Sequence, residues 1–206
     1  MPSPTDFNLS PYYDDYTESK KFHRILFRPA FAVQARELTQ SQSILQNQVE
    51  RVSDHLFEKG AMVVPGEIAY DLNYYAVKLT SLTGTLSSYV GVTLTGGTSG
   101  VEAIVVNTSA TDGTDPNTLF VKYTKTGTNN TDFVFADGET ISGTAADSTS
   151  ISAVVDTTAT GSAAEIQAGV YYINGFHVQV DNQTLILDKY TNTPSYRVGL
   201  TVAESF

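Results

Sequence analysis

Between Ala35 and Leu56 one residue series restricts the fold more than any other. Ala35, Leu38, Gln42, Leu45, Val49, Val52 and Leu56 are spaced 3, 4, 3, 4, 3, 4. That is a heptad seam with one polar member, Gln42, and it predicts a helix over 34–59. Lys59-Gly60 closes it, with Gly as the expected left-handed cap and Lys in the last turn. A helix of 3–4 heptads is marginal alone and needs partners or a β domain to pack on. Gln40, Gln46, Asn47 and Gln48 flank the seam, as polar residues that set register do in oligomer interfaces. Two readings stay open: the seam Leu38, Gln42, Leu45, Val49, Val52 and Leu56 trimerises, or the helix packs on a sheet of its own chain.

From Met62 onward the period changes from helical to two. Met62-Val63-Val64 precedes a Pro65-Gly66 turn, and Tyr70–Leu79 mixes aromatic and β-branched residues. Further strands are expected at 89–95, 102–107, 120–124, 131–135, 150–156, 170–173, 176–180, 184–188 and 196–202. Asn174-Gly175 is the strongest hairpin signal, because Asn-Gly supplies both positive-φ positions of a type I′ turn. Residues 92–107 and 139–156 repeat one pattern: a short strand, a small-residue turn, and a strand ending in Val-Val and Asn or Asp. Two such hairpins suggest a barrel and are too few for a solenoid. The fold class is therefore mainly β, a small barrel or sandwich, with one long N-terminal helix and an extended N-terminal arm.

The arm covers 1–33. Pro2, Pro4 and Pro11 oppose a helix there, and Arg28-Pro29 breaks the chain before the seam begins. Tyr12, Tyr13, Tyr16, Phe22 and Phe27 are too apolar for a free tail, so with Arg28 they are candidate docking residues. Asp14-Asp15 is a paired carboxylate, but neighbours in an extended arm point to opposite sides, which argues against acid–base work.

Charge divides the chain further. Seven of the 12 basic residues lie between Lys20 and Lys59, while 79–165 holds only Lys122 and Lys125 against nine acids. Thirty of the 87 residues in that stretch are Ser or Thr. The expected organisation is an arm 1–33, an oligomerising helix 34–60, a β domain from 61–79 with 166–206, and an inserted Thr/Ser/Gly-rich β module 80–165. One continuous β domain with a helical arm is the alternative.

Chemistry is sparse. There is no cysteine, so thiolate metal sites and cysteine nucleophiles are excluded. His23, His55 and His177 are scattered, and no Gly-x-Ser-x-Gly marks a nucleophile. Thr-Gly-Gly-Thr-Ser-Gly at 95–100 lacks the lysine of a phosphate-binding loop. Thr111–Asn117 is dense in oxygen ligands but reads as a turn rather than a calcium loop. Arg24, Arg28 and Arg36 read as interface or core-rim groups. The net charge of −10 argues against sequence-independent binding to nucleic acid or anionic membrane. No apolar run approaches ~18 residues, and the N-terminus has no signal-peptide pattern. The expectation is a non-enzymatic protein with no cofactor and no metal.

Residues 7–60 carry, in order, a Tyr/Asp-rich arm, Phe27-Arg28-Pro29, Gln34-Ala35-Arg36-Glu37-Leu38 and a Gln-rich helix over 39–59. This order resembles the N-terminal region of large virion structural proteins of tailed phages, familiar from contractile-tailed phages of cyanobacteria. The resemblance covers 7 to about 78, with weaker similarity at 166–202. It implies a baseplate or tail-fibre subunit, a homotrimer that docks a fibre to other tail subunits, made in the host cytoplasm and carried in the virion tail. The alternative is a glycan-binding or receptor-binding adhesin module, and a cytosolic enzyme is a third class with no visible site.

Overall fold

A computed structural model describes residues 5–205; Pro2 and Pro4 lie outside the described residues. Among the described residues the protein is mainly β, with two sheets and a single α-helix near the N-terminus. Its backbone contacts separate two units. The first holds the chain up to Ile68, then Ile166–Gln183 and the segment from Gly199; the second holds Ala69–Glu165 and Thr184–Val198. The boundary expected between 79 and 80 falls inside a strand of the second unit. That unit also takes 184–198, which sequence composition grouped with the ends of the chain.

In the first unit, helix α1 (Ala35–Leu56) starts at Gln34, whose amide donates to the Glu37 carboxylate at 3.1 Å. This reciprocal cap satisfies a donor that a helix start leaves open. The helix stops at Leu56, sooner than Lys59-Gly60 predicts. Phe57 is already extended, at φ −130° and ψ 141°, and its ring lies 5.9 Å from that of Tyr172. Gly60, at φ +86°, serves the following turn instead of capping the helix. Strands β1 (Met62–Val64), β8 (Gly169–Ile173) and β9 (Phe176–Val180) form a three-stranded sheet in the order β1-β8-β9. The β8–β9 hairpin turns at Asn174-Gly175, with φ of +47° and +86°, as its sequence predicts.

The second unit is a closed β barrel. Strands β2 (Ile68–Leu82), β3 (Thr93–Gly96), β4 (Glu102–Ser109), β5 (Thr118–Lys125), β6 (Thr140–Thr144) and β7 (Ser150–Ile166) are ordered β7-β2-β5-β4-β3-β6. A β6–β7 pairing closes the ring, and β10 (Gln183–Asp188) adds to the outside of β7. Closure removes the open edges that make sheets aggregate. The two sequence repeats are the hairpins β3–β4 and β6–β7, which meet through their first strands at Thr95–Ser142 and Gly96–Ile141. The core inside the ring includes Val77, Leu79, Tyr89, Leu94, Val105, Leu119, Phe135, Ile141 and Val155. A second cluster of Tyr74, Ala76, Phe120 and Ala163 packs with Ile186 and Tyr190.

Two expected strands are absent. Residues 131–135 carry the alternation, but the Asn129 carboxamide caps the amides of Thr131 and Asp132, and β3 and β5 already occupy both edges of β4. Residues 196–202 are also outside any strand. Conversely, β7 runs ten residues past the expected Asp156. Its second half is built of small residues because β10 passes close by: a Cβ on Gly161 would lie 2.6 Å from the Lys189 carbonyl oxygen.

Candidate interaction surface

Among its described residues the arm contains no regular element beyond a single 3-10 turn at Glu18–Lys20. Its acids attach it to α1. The buried Asp14 carboxylate accepts from the Ser43 hydroxyl and from the Tyr16 amide at 3.0 Å. Asp15 accepts from Gln40 and Lys20, and Glu18 pairs with Arg51. The Lys20 ammonium holds the Asp15 carboxyl below its usual range. The two aspartates therefore do not diverge as an extended arm requires. Both reach one face of α1, at Ser43 and Gln40, just after a turn in which the Tyr12 and Tyr13 amides donate to the Leu9 carbonyl.

The Tyr12 ring meets Phe7 edge to face at 6.0 Å. Tyr12, Tyr13, Phe22 and Phe27 stay exposed and Tyr16 is half-buried. Arg28 lies exposed, with its guanidinium 4.7 Å from the Phe31 ring centroid.

The helix is inverted relative to a usual amphipathic helix. Its own unit is met by Gln40, Ser43, Ile44, Gln46, Asn47, Glu50 and Asp54. Ile44, Asn47 and Ser53 are buried; Asp54 accepts from the Tyr172 hydroxyl at 2.5 Å, and Gln46 donates to the Gly175 carbonyl. Burial and the Asp54 carboxylate push the Tyr172 hydroxyl up to about 12. The seam points the other way. Leu38 is 52 %, Leu45 65 %, Val49 45 %, Val52 61 % and Leu56 70 % exposed, and Gln42 is exposed with them. At about 100° per residue, this stripe lies on the face opposite the polar one.

The first unit has little core of its own. Among the described residues, the buried hydrophobic side chains of this unit are Ile44, Tyr171 and Tyr172, and neither apolar cluster belongs to it. The outward face of its sheet carries Phe176 and Val178, both more than a third exposed. His177, also exposed, pairs across the hairpin with Tyr172, its ring 5.6 Å from that of Tyr172 and 6.2 Å from that of Phe57. His23 and His55 are exposed. Among the described residues no group of three or more His, Asp or Glu side chains is placed to hold a metal ion.

In the second unit a groove of about 770 Å³ is lined by Asp71, Asn73, Tyr75, Lys122, Tyr123, Phe133 and Glu165, among others. Tyr75 and Tyr123 meet edge to face at 5.2 Å, and burial pushes the Tyr123 hydroxyl up to about 12. Sequence alternation places all five aromatics of 80–165 in the core. Tyr89, Phe120 and Phe135 are buried, but Phe133 is 64 % exposed on this groove.

Two loops with ligand-like sequences are satisfied internally. The Gly-rich turn at 95–100 does cradle an anion, and the anion is Glu139. Its buried carboxylate accepts from the Thr98 amide at 3.1 Å, the Ser99 amide at 3.0 Å, the Ser99 hydroxyl at 2.9 Å and the Ala136 amide at 2.7 Å. A Cβ on Gly96 would come within 2.7 Å of that carboxylate, so the approach requires glycine. In the loop 111–117, Lys189 fills the cation position, with Nζ 2.9 Å from both Asp112 and Asp115.

No curated protein and no solved structure matches the chain. The family described as "Domain of unknown function (DUF4815)" matches residues 10–119, which run from the arm through α1 to the start of β5. With more than half its length matched, the chain belongs to the DUF4815 family.

Proposed function

We propose that this protein is a non-enzymatic structural subunit of a phage tail, a homotrimeric baseplate or tail-fibre component that docks a fibre to neighbouring tail subunits. One observation carries the oligomeric part: the heptad seam of α1 faces away from its own chain while the polar side of the helix is engaged. A helix that needed only to cover its own sheet would bury the apolar side. Burying a Leu or Val side chain gives about 1.5–3 kcal/mol, and each chain leaves five such residues on the stripe. The assignment to a tail rests on the sequence resemblance over 7–78. The aromatic arm, fixed at its acids and with most of its rings exposed, suits contact with a different tail subunit.

Size-exclusion chromatography with light scattering tests this. The expected mass is that of three chains from micromolar to millimolar concentration. A single-chain mass throughout that range would end the proposal.

The groove of the second unit favours a second reading, a glycan-binding module. An exposed Phe133 beside Tyr75, carboxylates at Asp71 and Glu165 and an amide at Asn73 are groups that stack on and hydrogen-bond to sugars. The expected result under that reading is polysaccharide retention by the wild type and its loss, by roughly tenfold or more, in Phe133→Ala. Equal retention by both proteins would remove this reading.

A further inference from the structure

Between Glu18 and Glu37 the chain carries no acid but five basic residues, Lys20, Lys21, Arg24, Arg28 and Arg36, in a protein whose net charge is −10. Lys20 pairs with Asp15, and Arg36 acts on the same carboxylate from nearby. Lys21, Arg24 and Arg28 have no carboxylate partner among the described residues. Interleaved with these three are Phe22, Leu26, Phe27, Phe31 and Val33, each 49 % exposed or more. The segment is neither helix nor strand. From Phe22 to Val33 the one hydrogen bond among the described residues is internal: the Phe31 amide donates to the Arg28 carbonyl at 3.4 Å.

That bond closes the turn Arg28-Pro29-Ala30-Phe31, in which Ala30 takes φ +65°. Proline at the first central position with a positive φ at the second is the type II pattern, which normally calls for glycine at the second. The turn sets the Arg28 guanidinium 4.7 Å over the Phe31 ring. A bend held by proline, presenting a cation and an aromatic together, is ordered before any partner arrives, so less entropy is lost on contact. Both kinds of group are left in water. The apolar side chains gain by leaving it, and the planar guanidinium forks of Arg24 and Arg28 match carboxylates in two-point geometry.

We infer that residues 21–33 are a docking strap for a partner protein whose surface alternates carboxylates with apolar pockets. Charge complementarity selects that partner: carboxylates answer Lys21, Arg24 and Arg28, and the pockets take Phe22, Leu26, Phe27 and Phe31. Two other polyanions fit less well. An anionic membrane or a nucleic acid spreads its charge over a broad surface. The strap is bracketed by Asp14, Asp15 and Glu18 on one side and Glu37 on the other, and such a surface would meet those acids as well. A groove on a protein is as narrow as the strap requires. Leu26 and Val33 also lack the ring faces on which bases stack. The inference rests on the reading of the arm as a contact to a different subunit and adds the chemistry of that subunit's surface.

The full-length protein is titrated against a fluorescently labelled random copolymer of glutamate and tyrosine, a soluble stand-in for an acidic surface with apolar groups. Polyglutamate, oligothymidylate and vesicles of phosphatidylserine with phosphatidylcholine are the comparators. One variant combines Lys21→Glu, Arg24→Glu and Arg28→Glu; the other combines Phe27→Ser and Phe31→Ser. All five side chains are exposed, so both variants should keep the wild-type circular dichroism. The copolymer is expected to bind each variant roughly tenfold or more weakly than the wild type, and polyglutamate to bind the wild type more weakly than the copolymer does. Wild-type binding that is tighter to oligothymidylate or to vesicles than to the copolymer would overturn the inference. So would copolymer binding by either variant equal to that of the wild type. Where a variant does not fold, hydrogen exchange of the wild type with and without the copolymer decides. Slowed exchange at 21–33 supports the strap, and unchanged rates there overturn it. A three-chain mass with copolymer binding independent of these residues would overturn the strap and leave the trimer standing. A single-chain mass with binding that depends on them would end the trimer and leave the strap.

Discussion

Replacing Leu45 and Val52 together by aspartate is expected to convert the three-chain particle to single chains while leaving the strand signal in circular dichroism nearly intact. Both side chains are more than 60 % exposed in one chain, so the substitutions disturb little of its internal packing. In a trimer the same positions sit in the seam, and each aspartate becomes an unpaired charge out of water. Removing such a charge from solvent costs at least ~3 kcal/mol, and three chains multiply the penalty. The barrel core lies in the other unit and contains neither residue, so its strands should persist. A variant that keeps a three-chain mass at micromolar concentration would show that the seam is not the interface.

The second large effect is expected at Glu139. Glu139→Ala leaves the amides of Thr98, Ser99 and Ala136 and the Ser99 hydroxyl without their acceptor in a buried place. Orphaning that many donors should cost about 3 kcal/mol or more, and lower the melting temperature of the barrel by over ~10 °C. The same carboxylate gives stability a pH dependence. Burial pushes its pKa up, but the hydrogen bonds from Ser99, Ala136 and Thr98 outweigh that and hold it below the ordinary glutamate value of 4.5. A group whose folded pKa is depressed contributes stability above its unfolded pKa and loses it as pH falls through the folded one. Wild-type stability should therefore decline as the pH drops below about 4.5, and Glu139→Gln should be less stable at neutral pH yet flatter in acid. Denaturant titrations between pH 3 and pH 7 measure both slopes. An acid decline as steep in Glu139→Gln as in the wild type would assign it to other carboxylates.

The sequence revealed the type of each element better than its extent. The 3-4 spacing from Ala35 located the helix, because a heptad survives whichever face is buried. It did not reveal that the polar face would be the one engaged, since Asp14, Asp15, Gly175 and Tyr172 reach that face from distant parts of the chain. The repeat at 92–107 and 139–156 pointed to paired hairpins, and both are present. The long second half of β7 was hidden because Thr157–Ala164 lacks bulky residues. Its smallness reflects the close passage of β10, which only the assembled sheet creates. Phe133 looked like a core residue because alternation describes an extended chain without saying whether a partner strand covers it. The Gly-rich turn lacks a phosphate-loop lysine and so gave no sign of a cradle; the anion it holds is the Glu139 carboxylate, forty residues downstream of Ser99.

The residues flanking the barrel segment have a further consequence. Glu67 precedes β2 and Gln167 follows β7, and the Gln167 amide donates to the Glu67 carbonyl at 2.9 Å. One step further out, Gly66 and Gly169 approach so closely that a Cβ on either would lie within 2.8 Å of the other strand's backbone. The longer of the chain's two excursions from the first unit thus starts and ends at a clasp two residues wide, closed by glycines that tolerate no side chain. Such a clasp is a natural graft point. A domain spliced between Glu67 and Gln167 would have to supply a new partner for β10 and Tyr190, which pack on β7 and on Phe120 from outside the clasp.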